Sequence, residues 1–161
     1  MQQFAHPFPP VVDKDCRILI LGSFPSVKSR KDGFFYGHPQ NRFWRVLASV
    51  FADETPTDIP GKKAFLLKHH IALWDVIASC EIKGSSDASV KNAVPVDISR
   101  VLDTARIEHV ICNGSLAYKL YQQHLEPIIG IKAIALPSTS PANAAFSMDK
   151  LIDAWQSALL Q

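Results

Sequence analysis

Ile18-Leu19-Ile20-Leu21-Gly22-Ser23-Phe24-Pro25-Ser26 decides how this chain is read. An unbroken apolar run closed by a Gly and a Pro has the character of a strand buried on both faces, with a tight turn at its carboxyl end. Open α/β sheets place their sites at such ends. Working outward, His70-Ile71-Ala72-Leu73-Trp74-Asp75, His109-Val110-Ile111-Cys112-Asn113-Gly114 and Lys132-Ala133-Ile134-Ala135-Leu136 read as three more strands. Helical patterns lie between and after them. Residues 41–51 place Phe43, Val46, Leu47 and Val50 on one face, and 97–106 do the same with Ile98, Val101, Leu102 and Ala105 behind Asp97 as N-cap. Residues 61–68, 115–124 and 148–160 are the other predicted helices. Strands alternating with helices predict a parallel sheet covered on both faces and joined by right-handed crossovers. Its four strand ends, Gly22, Trp74-Asp75, Asn113-Gly114 and Leu136-Pro137, then face the same way.

At 161 residues the chain is expected to form one domain around one core, burying roughly two thirds of its unfolded surface. With 47% apolar and 20% charged residues it reads as globular and not as a disordered tail. A formal charge of +2 is too small to predict nucleic-acid binding, which depends on local clusters, and does not oppose it. Cys16, Cys80 and Cys112 are odd in number and widely spaced, so neither a disulfide framework nor a zinc or iron–sulfur site is suggested. A reducing cytosol fits best. No leader-like segment opens the chain and no apolar run approaches a membrane span, so a soluble cytoplasmic protein without membrane or metal is expected.

Three stretches fall outside the alternation. Residues 1–15, with His6-Pro7-Phe8-Pro9-Pro10, read as a stiff extended arm lying across the domain, or as a Pro-rich ligand for another protein. Residues 26–37 read as a long basic and aromatic loop in which Lys28, Arg30 and Lys31 form either a solvated turn or a phosphate contact. Residues 80–92, with Lys83-Gly84-Ser85-Ser86-Asp87, read as an irregular segment of the kind that borders active sites.

The chain carries no dinucleotide glycine fingerprint and no phosphate-binding Gly-Lys-Ser/Thr loop, so nucleotide cofactors of the usual kinds are not supported, and it carries no Gly-x-Ser-x-Gly elbow. Ser23 and Ser26, at a strand-to-loop turn, are weak candidates for a nucleophile. What remains is a rim of amide, hydroxyl and aromatic groups: Ser23, Phe24, Tyr36, His38, Asn41, Asn113, Ser138, Thr139, Ser140 and Asn143. Stacking surfaces and neutral hydrogen-bonding groups suit a planar heterocycle better than a charged metabolite.

On these residues the chain resembles the uracil-DNA glycosylase superfamily, and most closely its deoxyinosine (hypoxanthine) glycosylase branch. Gly22-Ser23-Phe24-Pro25-Ser26 resembles that branch's first motif, and Tyr36-Gly37-His38-Pro39-Gln40-Asn41-Arg42-Phe43-Trp44 its adjoining Tyr-Gly-His-Pro-x-Asn-x-Phe-Trp segment. Leu136-Pro137-Ser138-Thr139-Ser140-Pro141-Ala142-Asn143 resembles its second motif. Order and spacing match from about Arg17 onward. The resemblance implies one glycosylase domain, a three-layer α/β/α sandwich with a central four-stranded parallel sheet. It also implies cleavage of the bond between a deaminated base and deoxyribose, in base excision repair of DNA, without metal or cofactor. The mismatch-specific uracil branch has Gly-x-Asn-Pro-Gly as its first motif, its Asn positioning water; Phe24 stands at that place here. The deoxyinosine branch assigns the role to the Asn of the second segment, which maps to Asn41.

An amide takes a proton poorly, so Asn41 would hold a water with its carbonyl oxygen near the anomeric carbon; the competing reading is a helix cap. The departing base would be stabilised by backbone N–H groups near Ser23 and Phe24 and by the amide of Asn113. By the same resemblance Tyr36 would stack on the extruded base, the alternative being core packing. His38 contacts phosphate or braces its loop. Ser138, Thr139, Ser140, Pro141 and Asn143 would meet the DNA minor groove and fill the gap left by the flipped nucleotide. Trp74 and Asp75 read as structural. The rival functions are a uracil glycosylase and a catalytically silent nucleic-acid- or nucleotide-binding protein of the same fold.

Overall fold

The computed structural model describes residues 2–24, 27–82 and 91–160. The run that opened the reading is β2 (Ile18–Gly22), with Leu19, Ile20 and Leu21 all fully buried. Consecutive buried residues point to both faces of a strand, so the sheet around β2 is covered on both sides. Its neighbours are β3 (Ile71–Asp75) and β6 (His109–Asn113), and β7 (Ile134–Leu136) completes a four-stranded parallel sheet in the order β3-β2-β6-β7. Gly22 pairs with Asp75, and Asn113 with Leu136, so the four carboxyl ends form one rim.

The flanking helices follow the apolar stripes. In α2 (Phe43–Val50), Phe43, Trp44, Val46, Leu47, Ala48 and Val50 are buried. It packs against α7 (Met148–Leu159), where Trp155 meets the Phe43 ring edge-on at 6.0 Å. In α3 (Ile59–Lys68), Asp58 caps the first turn by accepting from the Gly61 N–H at 2.7 Å, and Phe65 and Leu66 are buried. Helix α5 (Ser115–His124) buries Ala117, Leu120 and Tyr121, and the short α6 (Glu126–Ile129) follows it.

Several segments differ from the sequence reading. Within the arm, β1 (Gln2–Ala5) pairs antiparallel with β4 (Ile77–Ile82), and β4 with β5 (Lys91–Pro95), forming a second, three-stranded sheet. Part of the expected irregular segment 80–92 is therefore strand; Lys83-Gly84-Ser85-Ser86-Asp87 lies outside the described residues, as do Pro25 and Ser26. The expected loop 26–37 contains helix α1 (Val27–Asp32). The helix expected over 97–106 is a single turn, α4 (Ser99–Leu102), where Asp97 Oδ1 accepts from the Ser99 N–H at 3.2 Å and hydroxyl at 2.6 Å.

Candidate active site

The rim of the parallel sheet carries two polar clusters. The first is centred on Gly22, at the end of β2. A Cβ there would collide with Asp75 Oδ1 and stand 2.8 Å from Tyr36 Oη, so glycine is what lets the two side chains approach the strand end. Asp75 is 3% exposed, and its Oδ2 accepts from His6 Nε2 at 2.8 Å. Because His6 Nδ1 accepts from the Phe8 N–H at 3.1 Å, the imidazole proton is placed on Nε2. His6 thus reaches from the arm to the strand end as a neutral donor. The surrounding rings of Phe8, Phe24, Phe35 and Trp74 enclose it, with centroids 5.4 to 6.3 Å away.

Tyr36 enters this cluster from the loop before α2, with its backbone in the left-handed region at φ 54°. One face of its ring stacks on Phe43, with centroids 4.1 Å apart and planes 23° from parallel. The buried Oη makes no hydrogen bond among the described residues. Burial, then the negative charge of Asp75, push the phenol well above its usual pKa, with the Asn113 amide acting in the opposite sense. Tyr36 is therefore a neutral O–H group at the strand ends.

The second cluster joins α2, β6 and the loop after β7. Thr139 is fully buried three residues past β7. Its hydroxyl donates to Asn41 Oδ1 at 2.9 Å and accepts from Asn113 Nδ2 at 3.0 Å, while its N–H donates to Asn113 Oδ1 at 3.0 Å. Asn41 Oδ1 also accepts from the Phe43 N–H at 3.0 Å. That second donor fixes which end of the amide is oxygen, and it leaves Asn41 Nδ2 without a partner among the described residues. Arg42, the next residue, holds the loop itself: its guanidinium donates to the carbonyls of Phe146, Ser140 and Asn143 at 2.5, 3.0 and 3.1 Å, and its N–H to Thr139 O at 3.1 Å.

Asn41, Asn113 and Thr139 thus form one hydrogen-bonded unit, with Tyr36 next to Asn113 and with Ser23 and Phe24 in the turn that leaves β2. Two atomic roles differ from the sequence expectation. Both in-plane lone pairs of Asn41 Oδ1 are engaged, so the group this amide has to offer is N–H and not the carbonyl expected to hold water. Thr139 is enclosed, and its hydroxyl is committed to the two amides instead of being turned toward DNA. Ser138, Ser140, Pro141 and Asn143 lie in the loop; Ser138 Oγ accepts from the Ser140 N–H, Ser140 Oγ from the Ala142 N–H, and Asn143 Nδ2 donates to Ser138 O. His38 Nδ1 accepts from the Gln40 N–H at 3.1 Å, a bracing contact within its own turn. Arg30 lies over the Phe24 ring at 5.5 Å.

His6, Asp75 and Arg42 did not enter the candidate set from sequence. Asp75, at a strand end, was a visible signal; His6 becomes relevant only through a contact 69 residues away. Among the described residues no group of three or more His, Cys, Asp or Glu side chains is placed to hold a metal ion, and no helix is long and apolar enough to cross a membrane.

A rim of neutral donors at the ends of a parallel sheet has relatives. The model of the uracil DNA glycosylase superfamily matches residues 9–159. A hypoxanthine DNA glycosylase of Methanosarcina acetivorans is 34% identical over 148 residues, covering 89% of this chain and 90% of that one. One of Methanosarcina barkeri is 33% identical over 141 residues, covering 84% and 86%. A solution NMR structure from Methanosarcina acetivorans, described as a candidate uracil DNA glycosylase, superposes with a TM-score of 0.81 at 30% identity and covers 94% of each chain. The sheet order, the motifs at its carboxyl rim and a match over nearly the whole length agree: this chain belongs to the uracil DNA glycosylase superfamily.

Proposed function

We propose that this protein is a DNA glycosylase that hydrolyses the bond between a deaminated base, hypoxanthine foremost, and its deoxyribose. The observation that carries the reading is the Asn41 amide, pinned through its oxygen beside the strand ends with its N–H group left to act. The names of the two curated relatives support hypoxanthine as the base. As the glycosidic bond stretches, negative charge gathers on the leaving base and positive charge on the sugar. A base losing its sugar is helped most by preorganised neutral donors, whose hydrogen bonds strengthen as that charge grows. Asn41 Nδ2–H, the Tyr36 hydroxyl and the Asn113 amide are such donors. With bond breaking well ahead of attack, the incoming water needs little activation, which removes the need for a carboxylate base or for an acceptor on Asn41. Base flipping brings the nucleotide to this rim, and the loop 137–146, with Ser138, Ser140, Pro141 and Asn143, faces the opened duplex.

Labelled duplexes carrying deoxyinosine, deoxyuridine or deoxyxanthosine, incubated with the purified protein and then treated with alkali, test the reading. Deoxyinosine is expected to yield strand breaks fastest. Faster breakage at deoxyuridine would move the assignment to uracil, and binding without any breakage would make the protein a silent module. Asn41→Ala should lower the single-turnover rate by on the order of a hundredfold, the usual cost of one preorganised donor. A folded variant that cuts at the normal rate would reduce Asn41 to a helix cap.

A further inference from the structure

All the polar groups of Thr139, its N–H, its carbonyl and its hydroxyl, are spent on neighbours in or beside the site, and none on its own loop. The direction of these bonds is determined. Asn113 Nδ2 can only donate, so Thr139 Oγ1 accepts there, and its single proton goes to Asn41 Oδ1. The result is a one-way chain from the Asn113 N–H through the Thr139 hydroxyl to the Asn41 carbonyl. Each bond in such a chain polarises the next. An amide whose carbonyl oxygen accepts two hydrogen bonds has electron density drawn toward that oxygen, which makes its N–H the stronger donor. Full burial of Thr139 shields the chain from water that would otherwise compete for the Asn41 oxygen. The loop that carries Thr139 is held by the Arg42 guanidinium.

We propose that Thr139 is a positioning residue for the hydrolysis. Its hydroxyl locks the Asn41 amide with oxygen inward and N–H outward, strengthens that N–H as a donor, and ties the loop 137–146 to the reacting bond. The proposal rests on the catalytic reading of Asn41 given above, and the test separates the two. Thr139→Val keeps the shape and removes the hydroxyl; Thr139→Ser keeps the hydroxyl and removes the methyl. Single-turnover cleavage of a deoxyinosine duplex is measured for both, together with affinity for a duplex carrying a non-hydrolysable 2′-fluoro analogue, and with the side-chain amide resonances of Asn41.

Thr139→Val is expected to slow cleavage by about tenfold, in line with loss of one hydrogen bond to a polar partner, to leave affinity within about twofold, and to shift the Asn41 amide resonances. Thr139→Ser should retain most of the rate. In the Asn41→Ala background, Thr139→Val should add almost nothing, because its effect runs through Asn41. If Asn41→Ala is slow while a folded Thr139→Val cuts normally, the Thr139 proposal fails and Asn41 stands. If Asn41→Ala cuts normally, the reading beneath the proposal fails, and the proposal with it. Equal slowing by Val and Ser would assign the effect to packing of the methyl group and overturn the hydroxyl's role. Should Thr139→Val not fold, Thr139→Ala, which leaves space at the buried position, is judged by the same outcomes.

Discussion

At φ 54° the Tyr36 backbone occupies a region that bulky side chains avoid, and its buried hydroxyl has no hydrogen-bond partner among the described residues, conditions that each cost about 1–3 kcal/mol. Costs of this kind persist only where the surrounding structure over-determines them, and they cluster at active and binding sites. Removing the oxygen should therefore not destabilise the protein: Tyr36→Phe is expected to unfold at the same or slightly higher urea concentration than the parent. If the hydroxyl donates to the base, the same variant should cleave about tenfold more slowly, and Tyr36→Ala should lose a further 1–3 kcal/mol of productive binding with the ring. A Phe variant with the parent's rate would leave only the ring at work. The raised phenol pKa gives an independent check. The folded state retains a proton that the unfolded chain releases above about pH 10, so stability is complete below that pH and declines as it rises further. Urea titrations at pH 8 and above pH 10 should show the parent losing its stability relative to Tyr36→Phe only in the alkaline series.

Among the elements, the loop 137–146 is held by the Arg42 guanidinium, with the Asn113 amide at Thr139 and the Trp155 indole at Pro137. Three of its carbonyls converge on the Arg42 guanidinium, and no other cation among the described residues takes its place. Arg42→Ala should lower folding stability by roughly 2–3 kcal/mol, as for hydrogen bonds to a charged donor. If the loop props the duplex open, cleavage should slow more in a well-paired duplex, where flipping is costly, than in single-stranded DNA. Equal slowing on both would place the loop's action in the pocket. The strands β2, β3 and β6 were legible in sequence because a strand buried on both faces must be apolar throughout, and α2 and α5 because one buried face imposes its period. Strands β1, β4 and β5 were not. Lys91-Asn92-Ala93-Val94-Pro95 and Gln2-Gln3-Phe4-Ala5 show neither an apolar run nor clean alternation, and both pair with β4, which for Gln2-Gln3-Phe4-Ala5 is remote in sequence. Helix α1 has one apolar residue in six and so no period to find. For the site, residue types and strand ends pointed to Asn41, Tyr36, Asn113 and Thr139, but not to which atoms meet. The bonds from Thr139 to Asn41 and Asn113 span 98 and 26 residues, and only the folded sheet shows that the Asn41 oxygen is already engaged.

Across the molecule, the arm ties the two sheets together. Val11 bridges Leu73 with two bonds of 2.9 Å, the Trp74 indole donates to Phe8 O at 3.1 Å, His6 reaches Asp75, and β1 continues along β4. Loss of His6 would strand a buried carboxylate. His6→Ala should cost about 2–3 kcal/mol in chemical denaturation, and adding Asp75→Asn, which supplies its own donor and carries no charge, should restore part of it. No restoration would mean that His6 contributes through its aromatic neighbours alone. The arm also covers the outer margin of β3, the place where an uncovered parallel sheet would offer its backbone to another chain. Its seat is built from residues made much later, since Val11 pairs with Leu73 and Gln2 with Ile82. On a growing chain the arm is therefore made well before its seat, and it can cover the β3 margin only once β3 itself has emerged to pair with Val11. The margin then stays open only for as long as that long-range closure takes, a step slower than forming a local contact.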